Sequence, residues 1–184
     1  IGGYAFQNSA LVSINIPNSV TSIGGYAYSR NYNLTTAILG DGIEEISDRL
    51  FEYCSALTSV VIKDGVTNIG ESAFWDCKAL TTIKFPETLT SMGGNVFTNS
   101  ALKSIELPNS FTVITEGLFQ SNNFSYIKLG NNVRSIGKNA FGSRDLVLEI
   151  GTSTPPTISS DAFPNIEYLS DITVIVPDAK AVTA

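Results

Sequence analysis

Residues 69–92 read IGESAFWDCKALTTIKFPETLTSM, and the same lettering recurs along the whole chain every 22 or 23 residues. Working outward from Ile69, the opening position of successive units is held by Ile1, Ile23, Ile46, Ile69, Met92, Ile114, Ile136 and Ile158. Five residues on stands an aromatic column: Phe6, Tyr28, Phe51, Phe74, Phe97, Phe119, Phe141 and Phe163. A third column holds Leu11, Leu34, Leu57, Leu80, Leu102, Phe124, Leu146 and Leu169. From this column to the next opening residue the spacing is always 12 residues, so the one-residue length variation lies between the aromatic and the Leu. That stretch is expected to be a surface turn, because an insertion inside a stacked core would shift every later side chain. A fixed short period over a whole chain marks a solenoid, in which each coil contacts only its neighbours.

After the Leu column the pattern alternates. Ile14/Ile16, Ala37/Leu39, Val60/Ile62, Ile83/Phe85, Ile105/Leu107 and Ile127/Leu129 are spaced two apart, which predicts a short half-buried strand. Pro, Gly or Lys ends it, and a polar turn follows, such as Asn18-Ser19, Asp41-Gly42 or Asp64-Gly65. A second apolar pair, Val20 and Ile23 or Val66 and Ile69, predicts a short return stretch. The Gly/Ser-x-x-Ala-Phe piece is too short for a regular helix, and a single helical or 3-10 turn is expected there. In the last two units the alternation slips: Leu148 and Ile150 follow Leu146 one residue early, and Val174 and Val176 follow Leu169 two residues late. One unit cannot bury enough apolar surface to order itself, so stacking is required for folding.

The pattern I-G-x-x-A-F-x-x-C/N-x-x-L-x-x-I-x-I-P-x-x-V resembles the BspA-like leucine-rich repeats of bacterial surface proteins, and Ile69–Leu89 matches it closely. The last unit also looks like that family's usual ending, with Pro155-Pro156, Asp161-Ala162-Phe163 and Val174-Ile175-Val176-Pro177. The resemblance implies a β-rich, right-handed, curved leucine-rich-repeat solenoid of about eight repeats with short parallel strands. It also implies a secreted or surface-anchored protein, associated with adhesion to host matrix proteins and to other cells. The expected organisation is one array over residues 1–184, regular to 151 and closed by a distorted capping repeat over 152–184. The chain opens mid-pattern without Met or signal sequence, and reads as a fragment whose export signal and anchor lie elsewhere.

Composition excludes several chemistries. The net charge is −6, which argues against nucleic acid as a partner. There is no His, so His triads and His-ligated zinc are absent, and two Cys cannot build a thiolate metal site. Gly2-Gly3, Gly24-Gly25 and Gly93-Gly94 recur at one repeat position, which makes them architectural and not a phosphate loop. Carboxylates of a repeat stand on an open surface, where nothing excludes water or raises a pKa. No cofactor is expected, no apolar run is long enough to insert in a membrane, and the chain reads as non-enzymatic. Residues 41–87 are acidic and residues 103–144 mildly basic, a polarity that either orients a partner or only confers solubility.

Four groups are candidates for a role. The outward positions of the main strands, Thr36, Ile38, Ser59, Val61, Thr82, Lys84, Glu106, Tyr126 and Lys128, form the expected protein-binding face, which in solenoids is the concave sheet. Lys84, Glu106 and Lys128 are expected to make an alternating-charge ladder on it. The other reading of this column is good strand formers on a solvated surface. Asp41, Asp64 and Glu87 share one turn position and either hold Ca²⁺ between them or cap their own turns in solvent. Cys54 and Cys77 occupy equivalent places in adjacent units, within disulfide range or as two free buried thiols. Trp75 and Tyr53, after the column aromatic, either anchor a partner or lie against a neighbouring turn. Three functions follow: a protein-binding surface module, a stiff spacer presenting another domain, or a carbohydrate-binding module. The third would need paired aromatics on one face, and only Tyr126 is expected on the sheet.

Overall fold

The computed structural model describes residues 1–120, 122–143, 145–152, 154–164 and 172–177. Among them the chain forms thirteen short strands: β1 (Ser13–Asn15), β2 (Thr36–Ile38), β3 (Glu45–Ile46), β4 (Ser59–Val61), β5 (Asn68–Ile69), β6 (Ser91–Met92), β7 (Ser104–Glu106), β8 (Val113–Ile114), β9 (Tyr126–Leu129), β10 (Ser135–Ile136), β11 (Leu146–Ile150), β12 (Thr157–Ile158) and β13 (Ile172–Ile175). All pairings are parallel and join equivalent positions of successive units, as with Ile14, Ala37 and Val60. The result is a parallel β-solenoid of about seven turns. The main sheet comprises β1-β2-β4 and β7-β9-β11-β13; the return stretches build β3-β5-β6 and β8-β10-β12. Leu169 of the third column lies outside the described residues.

The core is a set of columns. Ring centroids of Phe51, Phe74 and Phe97 follow one another at 5.6 Å, nearly parallel, with Tyr28 6.0 Å beyond Phe51 and Phe6 5.4 Å beyond Tyr28. Phe119, Phe141 and Phe163 make a second stacked series. Leu34, Leu57, Leu80, Leu102, Phe124 and Leu146 are all buried. The ends of each column have one neighbour instead of two, so Phe6 remains 40% exposed and Ile158 45%. Close stacking also explains the recurrent glycines: a Cβ on Gly24 would stand 2.4 Å from the Gly3 nitrogen of the preceding coil.

The expected helical turn is replaced by two successive β-turns. Ala27 N–H donates to Gly24 C=O at 3.2 Å and Ser29 N–H to Tyr26 C=O at 3.0 Å. The residue three after the opening position is left-handed in every unit from the first to the seventh: Tyr4, Tyr26, Arg49, Ser72, Asn95, Gly117 and Asn139. A non-glycine residue in that region costs about 1–2 kcal/mol. The gain is a third inter-coil ladder, because the kink turns alternate N–H groups along the solenoid axis. Tyr26, Tyr28 and Arg30 N–H donate to the carbonyls of Asp48, Leu50 and Glu52, and Arg49, Phe51 and Tyr53 to those of Glu71, Ala73 and Trp75. A helical turn would direct those donors back into its own coil.

The slipped alternation of the seventh unit resolves cleanly. Leu148 pairs with Ile127 and Ile150 with Leu129, so one residue is missing before β11 and one is returned after it, ahead of Thr157-Ile158, which pair in register with Ser135-Ile136.

The turn and return ladders stop between the coil of Thr82–Phe97 and that of Ser104–Phe119, and the main-sheet ladder is interrupted on both sides of Thr82–Lys84, after β4 and before β7. Thr82–Lys84 form no strand, β6 does not pair with β8, and Phe97 does not bond the coil of Phe119. Among the described residues no backbone hydrogen bond crosses this seam. Three side-chain bonds do: Glu87 accepts from Asn109 N–H at 3.2 Å, Ser110 Oγ donates to Leu89 C=O, and Asn122 Nδ2 donates to Phe97 C=O. Ser100 Oγ and Asn122 Oδ1, both at the seam, are buried without a partner.

Candidate functional site

Strand alternation aims two rows of side chains outward from the main sheet. One row runs Ser13, Thr36, Ser59 and then Ser104, Tyr126, Val147, Thr173; the other Asn15, Ile38, Val61 and then Glu106, Lys128, Glu149, Ile175. Ile38 and Val61 are register partners, each 40% exposed, and form an apolar pair in a polar setting. Thr82 and Lys84 are exposed as expected, but their segment bonds to neither flank. The expected Lys84–Glu106–Lys128 ladder is therefore shifted by one strand. Lys128 Nζ lies 3.5 Å from Glu149 Oε1, and Tyr126 Oη donates to Glu149 Oε2 at 2.5 Å. Among the described residues Lys84 has no ion pair. Sequence reading missed Glu149, because the alternation was counted from Leu146 instead of from the buried Leu148.

The Tyr126–Glu149 bond fixes the electrostatics of this patch. It holds the Glu149 carboxyl below its ordinary range, aided by Lys128. The same carboxylate, with a smaller effect from burial, pushes the Tyr126 hydroxyl up to about 12. Tyr126→Phe removes the donor, so the Glu149 titration moves upward toward that of an ordinary glutamate; carboxyl-carbon NMR across pH 2–7 reads the shift directly. An unmoved Glu149 titration shows that the bond is not made in solution.

The remaining candidates are absorbed by the stack. Cys54 and Cys77 are free and fully buried. Their thiols donate back along the axis to the carbonyls of Tyr28 at 3.2 Å and Phe51 at 3.3 Å. Burial pushes the Cys54 thiol up to about 12 and Cys77 well above its usual value. Asn31 fills the same column and does more: its Oδ1 accepts from Ser9 and Leu11 N–H, both at 3.1 Å, and its Nδ2 donates to Phe6 and Tyr28 C=O. In the polar-turn column Asp41 accepts from Asn18 Nδ2 at 2.9 Å and Glu87 from Asn109 N–H. Among the described residues no three acids or thiols gather as a metal site, so Asp41, Asp64 and Glu87 do not form one set of ligands. Trp75 lies against a neighbouring coil, with the Arg49 guanidinium 5.8 Å from its ring centre and 5.7 Å from that of Tyr26. Arg30 stands 5.7 Å over Tyr53. The outer Tyr4–Tyr26 stack, at 4.8 Å, was not anticipated. Its rings cover each other.

Beside the seam lies a cleft of about 480 Å³, walled by the unpaired segment Thr82–Phe85 on one side and by β7 and the residues after it, Ser104–Pro108, on the other. Nothing in the lettering of Ile83-Lys84-Phe85 signals this opening.

Comparison with known proteins agrees with this architecture. No curated protein sequence matches. The solved leucine-rich repeat protein of T. pallidum is similar at 24% identity and a TM-score of 0.69, over 77% of this chain and 72% of that one. A leucine-rich repeat protein from Bacteroides ovatus is similar at 22% identity and a TM-score of 0.63, over 91% of this chain and 45% of that one. At these identities the likeness is one of fold, and this chain spans less than half the Bacteroides protein. The sequence profile of the BspA type leucine-rich repeat region matches in six copies, over residues 1–121 and 44–170. With the columns, the parallel ladders and this match in hand, the chain belongs to the BspA-type leucine-rich repeat family.

Proposed function

We propose that this chain is a non-enzymatic, cell-surface or secreted module that binds another protein across the concave outer face of its main sheet. The observation that carries the reading is the pair of in-register rows on that face. Ile38 and Val61 supply an apolar centre, and Glu106, Lys128 and Glu149 a charged flank, on strands whose backbones are fixed by parallel pairing. A small apolar centre within a polar field is how protein surfaces of modest affinity are built. Membership of a leucine-rich repeat family supports a protein-interaction role in general. No helix among the described residues is long and apolar enough to cross a membrane. Adhesion to extracellular-matrix proteins is the specific activity this reading favours.

The test is surface binding to a panel of purified matrix proteins, with wild type and a Lys84→Glu/Lys128→Glu double variant. Charge reversal on a complementary face is expected to weaken binding at least tenfold and to flatten its salt dependence. Far-UV circular dichroism should stay unchanged, since both side chains are on the solvent side. Equal binding by both proteins removes the sheet face from the interface. Absence of binding to every member of the panel favours a stiff spacer that presents another domain.

A further inference from the structure

We propose that a second cleft, under the lengthened turn after β11, is a binding site for an acidic sugar, a hexuronate whose carboxylate is held by Arg134. The turn after a main strand is normally closed by one backbone bond, as where Val133 N–H donates to Gly130 C=O at 3.4 Å. The stretch from Ile150 to Thr157 is one residue longer than that from Leu129 to Ser135, with which its ends pair. Counting back from Thr157, the place of Val133 falls to Pro155, which has no N–H to close the turn. Thr152 makes a local turn instead: its hydroxyl donates to Thr154 C=O at 2.7 Å and accepts from Thr154 N–H at 3.1 Å. The side-chain ladder of the turn column also ends here. Asn109 Oδ1 accepts from Asn131 N–H at 2.9 Å, but among the described residues Asn131 Oδ1 accepts from nothing in the next coil. The lengthened turn is thus paired to the coil before it at its two ends, and a cleft of about 500 Å³ opens between them.

The lining defines the ligand. No acid lines the cleft, and among the described residues the Arg134 guanidinium has no ion pair. The backbone of Arg134 is held on both sides: its N–H donates to Thr112 C=O, and its C=O accepts from Thr157 N–H, each at 2.8–2.9 Å. A fixed, uncompensated guanidinium suits a planar carboxylate, which it takes by two parallel hydrogen bonds. The other polar groups are of a different kind. They are the carboxamides of Asn131 and Asn132 and the hydroxyls of Thr154 and Thr157, and each can both donate and accept. Sugar hydroxyls do the same, whereas a bare carboxylate would leave every acceptor in the cleft unmatched. The exposed ring of Pro155 adds an apolar surface for the C–H side of a sugar ring. The volume is within the range of small-molecule sites. None of the outward side chains of the main sheet lines this cleft, so the proposal goes beyond the protein-binding reading above and fails or stands apart from it.

The probe is sodium glucuronate, titrated into the isotope-labelled full chain and followed by NMR, with glucose and sodium acetate as comparison ligands at matched ionic strength. Saturable shifts are expected at the side-chain amides of Asn131 and Asn132 and at Arg134 Nε. Glucose should bind at least tenfold more weakly, because it lacks the carboxylate, and acetate likewise, because it lacks the hydroxyls. Arg134→Gln should weaken glucuronate binding at least tenfold. Arg134→Lys should lose nearly as much, since an ammonium cannot make the paired bonds. The Arg134 side chain is exposed, so far-UV circular dichroism should be the same for both variants and wild type. Lys103→Gln removes a charge outside the cleft and should change nothing. Three results overturn the proposal. The first is glucuronate shifts that never saturate. The second is glucose or acetate binding as tightly as glucuronate, which reduces the cleft to a hydroxyl or anion contact. The third is glucuronate binding to Arg134→Gln that equals wild type.

Discussion

Phe74→Ala is expected to destabilise the array by about 3–5 kcal/mol, the range for emptying a buried Phe site. Phe74 is fully buried, and its ring is stacked at 5.6 Å on both Phe51 and Phe97, with interplanar angles of 16° and 8°. Removing it leaves a void between two other rings that cannot approach each other, because the coil backbones on either side are fixed. Phe51 N–H is held by Ala73 C=O and Phe74 N–H by Val96 C=O, at 2.8 and 2.9 Å. The cavity therefore persists, and two inter-coil interfaces weaken together. Phe6→Ala is the internal comparison. Phe6 stacks on Tyr28 alone and is 40% exposed, so its loss should cost about 1 kcal/mol and only fray the first coil. Urea unfolding of both variants, read as midpoint and slope, distinguishes them. Equal, small losses would show that the columns do not carry the stability.

This contrast bears on what sequence can reveal in a repeat protein. The columns were legible because each is a chemical identity repeated at a fixed spacing, and stacking turns spacing into contact. The single helical turn was misread because left-handed geometry at Tyr4, Tyr26, Arg49 and Ser72 has no signature in those residues; only Gly117, Asn95 and Asn139 suggest it. The geometry is imposed by the inter-coil bonds and not by local preference. Of the expected sheet face, Ile38, Val61, Glu106 and Lys128 were legible from alternation. Glu149 was hidden by a deletion before β11 that is repaired after it. The seam was invisible for a different reason: Ile83, Phe85, Ile105 and Leu107 satisfy the repeat. What changes there is loop length. Six residues separate Phe74 from Leu80, and five separate Phe97 from Leu102. The opposite change occurs between the first two coils, from Phe6–Leu11 to Tyr28–Leu34, without a break. There the long, four-bonded side chain of Asn31 ties the two loops together. At the later change the same place is held by Ser100, whose hydroxyl reaches no partner.

The seam should make unfolding a two-step process. In a linear array stability is a sum of coil terms and nearest-neighbour terms, and the array divides at its weakest interface. Each backbone bond missing there forfeits about 0.5–1.5 kcal/mol, so an interface without any of its three ladders is weaker than its neighbours by several kcal/mol. Two blocks follow, one ending near Phe97 and one beginning near Ser104. The first retains unbroken stacking from Phe6 to Phe97. The second has shorter stacked columns and ends in coils whose Ile158 and Val174 are about half exposed. The second block should therefore unfold at lower urea. Trp75 is the chain's single Trp and reports only the first block, whereas far-UV circular dichroism reports both. The dichroism should lose amplitude in an early transition that tryptophan fluorescence does not register, and the two signals should coincide only in the later one. Coincidence of the two probes throughout would mean that side-chain packing across Ile83, Ile105 and their neighbours couples the coils as strongly as a complete set of ladders, and the division at Ser100 would have no energetic consequence.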